Sequence, residues 1–134
     1  MIKIIFSLKV FILCQLLLSA PSFAIKTLEQ CEETKQTTKE LSRCLDGVKK
    51  VLDRELQTWV NNHIFNLEEQ SLVTGKYSAL HMFKRSQGNF ITYRDNDCRW
   101  QYLLISPEEG ADNAYKKCYI LLSKQRIKEL SLIE

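Results

Sequence analysis

The stretch Arg85-Ser-Gln-Gly-Asn-Phe-Ile-Thr-Tyr-Arg-Asp-Asn-Asp-Cys98 constrains the fold of this chain more than any other. Its core-type residues return at helical spacing, it carries the adjacent charges of Arg94 and Asp95, and it ends on a cysteine. That combination predicts a helix locked by a disulfide. It supplies no evident catalytic apparatus.

How many cysteines are available depends on the start of the chain. Lys3 and Lys9 precede or enter an apolar run that extends to Leu18, and Ser22 and Ala24 place small residues where a signal peptidase cuts. Residues 1–24 are therefore expected to be a cleaved signal peptide, with residues 25–134 forming a single domain. The apolar run falls short of the roughly 20 residues a helix needs to span a bilayer, so no stable membrane span is expected after cleavage. Cys14 leaves with the leader, and four of the five cysteines remain. Loss of Lys3 and Lys9 takes the 19 basic residues to 17 against 16 acidic ones, so the net charge drops from +3 to +1. Without a basic excess, nucleic-acid binding has no compositional support. A small exported domain with a modest core gains stability from crosslinks, which makes structural cysteines the expectation.

Three long helical segments follow from periodicity. Thr37-x-x-Glu40 has the form of a capping box. After it, Leu41, Leu45, Val48, Leu52, Leu56, Trp59 and His63 recur at three- and four-residue intervals, across Gly47 and into the 60s. Asn61-Asn62 marks a candidate break. A second helix is expected from after Thr74-Gly75 to about Leu104, with Tyr77, Leu80, Phe83, Gln87, Phe90 or Ile91, Arg94 and Cys98 on one broad face. Ser106-Pro107-Glu-Glu-Gly110 interrupts that pattern. A third helix from Ala111 or Asp112 to Leu130 presents Ala114, Cys118, Leu121 or Leu122, Gln125, and Ile127 or Leu130. The expected fold class is all-α, a small antiparallel bundle of three or four helices stabilised by two disulfides.

The turn centred near Glu108 is equidistant from Cys98 and Cys118, so an antiparallel hairpin sets them opposite each other. Cys31 and Cys44 form the second pair if residues 31–37 fold back as a loop, because 13 positions of continuous helix would separate them by about 20 Å. Common zinc sites use short paired spacings that these cysteines lack. No metal and no cofactor are expected.

The segment Gln87-Gly-Asn-Phe90-Ile-Thr-Tyr93-Arg94-Asp95-Asn-Asp-Cys98 also resembles the signature of the lysozyme inhibitor LprI-like family of bacterial exported domains. Thr38-Lys-Glu-Leu-Ser-Arg-Cys44 and Asp53-Arg-Glu55-Leu56 are similar to its first-helix signature, and Gly110-Ala111, Cys118, Arg126 and Leu130 to its closing helix. Phe90 stands where the family usually has tryptophan, Gln57 where asparagine is common, and the loop before Ala111 lacks the full family turn. The resemblance implies an inhibitor of lysozyme, working by steric occlusion in a periplasm or outside the cell. The alternative is a structural or assembly protein of the cell envelope that binds no lysozyme.

Candidate site residues divide into two sets. Tyr93-Arg94-Asp95 reads either as a binding patch or as internal scaffolding. Scaffolding is favoured because Arg94 shares the face of Phe90 and Cys98, with Arg94 bridging to a helix end or an acid such as Glu55 and Tyr93 packing between helices. Ser106, Glu108, Glu109, Asp112 and Asn113, on the hairpin turn, form the candidate contact for a basic partner such as a lysozyme or another envelope protein. The plainer reading of that turn is an exposed connection whose Asp112 helps start the next helix. Asp53 and Glu55 read as surface or interhelical partners. His63 is placed on an inner or boundary face and His81 toward solvent. No nucleotide loop, zinc-protease pair or nucleophile elbow occurs, so an enzyme is not expected.

Overall fold

A computed structural model describes residues 26–34 and 37–133. The expected signal peptide, residues 1–24 with Cys14, lies outside the described residues. Four helices make up the fold: α1 (Leu28–Thr34), α2 (Thr38–Thr74), α3 (Ser78–Ile105) and α4 (Ala111–Ser131). The architecture is the all-α bundle expected, with disulfides Cys31–Cys44 and Cys98–Cys118.

Local chemistry sets the boundaries. Thr37 is extended, and its hydroxyl accepts from the Glu40 amide at 3.2 Å, which satisfies one of the free donors at the start of α2. The helix then runs unbroken through Asn61-Asn62, both of which face solvent, so the candidate break is not used. Gly75 ends it in the left-handed region at φ 69°, where its amide donates to the Ser71 carbonyl at 2.8 Å. Gly110, at φ 105°, does the equivalent work in turning the chain into α4.

One expectation is corrected. The segment from Leu28 to Thr34 is helical, so Cys31 reaches Cys44 from a short helix rather than from a loop. The signal was present in Thr27-x-x-Gln30. The Thr27 amide donates to Gln30 Oε1 at 2.9 Å and the Gln30 amide to Thr27 Oγ1 at 3.2 Å, a reciprocal capping box.

The core lies chiefly between α2 and α4. Leu45, Val48, Leu52 and Leu56 meet Ile120, Ile127 and Leu130, with Leu28 and Cys31 of α1 closing one end. At the other end His63 sits between the rings of Trp59 and Phe83, and its Nε2 donates to the Leu130 carbonyl at 2.9 Å. The expected inner face of α2 is the one observed. On α4 the expected Cys118, Ile127 and Leu130 are buried, but Leu121 and Gln125 are exposed, Ile120 is fully buried, and Asn113, Lys116 and Ser123 are buried among the apolar positions. The reason is that α4 packs against both α2 and α3, so its buried surface is wider than one apolar stripe and takes in polar residues that find partners. Among the described residues no helix is long and apolar enough to cross a membrane.

Candidate partner-binding site

Arg94 is drawn inward by its position on the inner face of α3. Its Nη1 donates to Ser123 Oγ at 2.9 Å, its Cζ lies 3.7 Å from the centroid of the Tyr119 ring, and Asp53 Oδ1 is 3.9 Å away. The acid beside it is thus Asp53 of α2, while Glu55 faces solvent. Tyr119 joins the group through its hydroxyl, which donates to Asp53 Oδ1 at 2.6 Å, and through Lys49, whose Nζ stands 4.3 Å from the ring centroid. Burial, and then the bond to Asp53, push the Tyr119 hydroxyl well above the usual tyrosine range. One helical turn earlier, the Tyr115 hydroxyl donates to Asp95 Oδ1 at 3.2 Å. The Arg94 guanidinium is thus engaged inside the molecule through Nη1 and its face on Tyr119, while its buried Nε has no hydrogen-bond partner. Phe90 packs at the edge of the core under the Arg94 and Arg126 guanidinium groups. Tyr93 is only partly placed between helices as expected: it lines the groove between α3 and α4 with Leu122, Gln125 and Arg126, yet 54 % of it is exposed.

The turn between α3 and α4 is less available than its sequence suggests. Asn113 is buried, and its Nδ2 donates to the Thr38 carbonyl at 3.0 Å, which ties the turn to the start of α2. Asp112 is held by Lys116 at 2.7 Å and accepts from the Ser42 hydroxyl at 3.0 Å. Ser106 is half-buried, and Asp112 is exposed but paired, which leaves Glu108 and Glu109 as the exposed members of the five with no side-chain partner among the described residues.

Lys116 is a structural centre that the sequence reading passed over. Buried in α4, it reaches Ser42 Oγ at 2.7 Å, Asp46 Oδ2 at 2.9 Å and Asp112, fastening α4 to α2. The Asp112-x-x-x-Lys116 spacing was the readable half of this cluster. Burial alone would raise the Asp112 pKa, but hydrogen bonds from Lys116 and Ser42 outweigh it and hold the carboxyl below its ordinary value. For Lys116 burial opposes the charge, and the bonds to Asp112 and Asp46 prevail, raising its pKa. A depressed acid contributes stability that is present above its unfolded pKa of about 3.9 and is lost as pH falls from there through the folded value. A raised lysine contributes stability that is present below about 10.4 and is lost as pH rises through its folded value. Thermal melts across pH should therefore show a plateau between these limits, and Lys116→Met should flatten the loss at both edges. An unchanged pH profile in that variant would refute the assignment.

Elsewhere the surface carries open depressions, such as the one along α2 lined by Asp46, Lys49, Lys50, Asp53, Arg54 and Gln57. Among the described residues no group of histidines, cysteines and acids is poised to hold a metal ion. His81 lies at the surface and His63 is engaged with Leu130.

These features define a class first: a disulfide-clipped helical domain suited to an oxidising compartment, with its buried charges paired between helices. Residues 30–130 match the family model described as Lysozyme inhibitor LprI, and the chain belongs to that family, one of inhibitors rather than enzymes. No curated protein and no solved structure gives a significant match.

Proposed function

We propose that this protein is an exported lysozyme-inhibitor-like protein that acts by steric occlusion, in the periplasm or outside the cell, after removal of residues 1–24. The family match over residues 30–130 is the observation that carries this reading. Two disulfides and the Lys116 and Arg94 clusters support it, because a domain rigid before contact loses little conformational freedom on binding. Glu108 and Glu109 lie exposed on the turn between α3 and α4, and the inhibitor reading itself does not depend on them.

A second reading is a structural or assembly protein of the cell envelope. It is favoured by the apolar side chains that the bundle leaves exposed, Leu72, Val73 and Leu104 among them. Calorimetry of the oxidised protein against lysozymes of several structural types, with parallel turnover assays, separates the two. Stoichiometric binding with loss of turnover is expected; a folded protein that binds none of them would favour the assembly role.

A further inference from the structure

Exposed apolar side chains occur along α3 and near the acidic turn, at Trp100, Leu103 and Leu104 for example, and a further set lies at the opposite end of the molecule. The bond from His63 to the Leu130 carbonyl marks where α4 stops supporting the other two long helices. From there α2 continues 11 residues to Thr74, about 16 Å, and α3 starts back at Ser78, so a two-helix finger projects past the three-helix body. On this finger Phe65, Leu72, Val73, Tyr77 and Met82 are exposed by 44 to 87 %.

The finger is internally fixed. Leu80 and Ser71 are buried between its helices, and the Ser71 hydroxyl donates to the Leu67 carbonyl at 2.6 Å with the Lys76 carbonyl 3.1 Å away. Glu68 and Lys84 pair across it at 2.9 Å and cancel each other's charge. Lys76, on the connecting turn, and Glu69, seven positions back on α2, have no ion-pair partner among the described residues, which leaves the tip itself apolar with one ammonium.

We infer that this tip, Thr74-Gly75-Lys76-Tyr77 with Leu72 and Val73, is the element that enters the catalytic cleft of a lysozyme and sets the Lys76 ammonium against its catalytic carboxylates. The inference rests on the inhibitor reading above. A glycoside hydrolase flanks the bond it cuts with two carboxyl groups about 5–9.5 Å apart, one of them commonly in an apolar pocket. An apolar projection carrying one cation complements such a cleft in shape, polarity and sign. The acidic turn lies at the far end of α3, about 42 Å away by helix rise. In the same cleft it would set Glu108 and Glu109 against like charges, an arrangement that opposes binding.

The test compares the two ends in the intact oxidised chain, by calorimetry and turnover against the same lysozyme panel. Lys76→Glu and Val73→Asp are expected to weaken binding about 30-fold or more at unchanged melting temperature. Lys76→Arg should retain most of the affinity, and the Glu108→Lys, Glu109→Lys double variant should stay within about threefold. An N-acetylglucosamine oligomer that fills the cleft should compete with the parent protein. Loss of binding in the turn variant with retention in the tip variants would overturn the inference and move the contact to the acidic end. Insensitivity of both ends, or binding without competition, would overturn it as well while leaving inhibition in place. A folded parent protein that binds no lysozyme would remove the inhibitor reading itself, and the assignment of the tip with it.

Discussion

Replacement of both Cys98 and Cys118 by serine is expected to destabilise the protein by about 3 kcal/mol and lower its melting temperature by about 10–15 °C. The bond closes 20 residues of chain spanning the end of α3, the turn and the start of α4. Without it the unfolded ensemble regains the freedom that closure removes. The folded state loses as well, since Cys98 and Cys118 are buried and two hydroxyls in their place would lack assured partners. Cys31 and Cys44 should behave differently although their loop is only somewhat shorter. Helix α1 has seven residues, too few to persist alone, and without its disulfide it is held by Leu28 and the ion pairs Glu32–Lys117 and Glu29–Lys124. Such exposed pairs contribute little. The expected result is local release of α1, seen as rapid proteolysis and hydrogen exchange at residues 28–34, with a smaller fall in the cooperative melt. Equal global loss in both double variants would show that α1 is integral to the folding unit.

Sequence legibility followed the number of neighbours each helix has. α2 presents one principal face to the core, so its stripe from Leu41 to His63 could be read with the correct phase and continued past Gly47. α3 was legible for a related reason: Leu80, Gln87, Arg94 and Cys98 lie on one face even though two of them are polar. α4 was legible only at Cys118, Ile127 and Leu130, because it touches helices on two sides, and Lys116 and Ser123, which look like surface residues in a one-face pattern, are buried where partners from other helices await them. Those partners are Ser42, Asp46 and Arg94, remote in sequence, and no local spacing announces them. The same non-local chemistry explains the acidic turn. Its charges were visible in sequence, whereas the withdrawal of Asn113 to the Thr38 carbonyl depended on the start of α2 arriving beside it. The finger also escaped notice, because it exists only by comparison of where α2 and α4 end.

Arg94→Ala should cost about 3 kcal/mol, close to the effect of removing the Cys98–Cys118 bond and for a different reason. The substitution takes away the cation stacked on Tyr119 at 3.7 Å, a contact worth up to about 2 kcal/mol when desolvated. It also removes the Nη1 donor from Ser123, whose fully buried hydroxyl would then face an apolar void at a cost of about 1–3 kcal/mol. These contributions overlap because both belong to one side chain, so the total falls below their sum. Asp53 adds less: it stands 3.9 Å from Arg94, is about half exposed, and keeps its bond from Tyr119. Arg94→Lys should recover little, since an ammonium has no planar face to lie on the Tyr119 ring. The measurement that separates scaffolding from recognition is lysozyme binding by Arg94→Ala at a temperature well below its lowered melting point. A molecule with Arg94 facing Ser123 and Tyr119 should bind as the parent does once folded. Full stability with lost binding would instead place the guanidinium on a partner, and the Tyr93-Arg94-Asp95 segment would return as the contact surface.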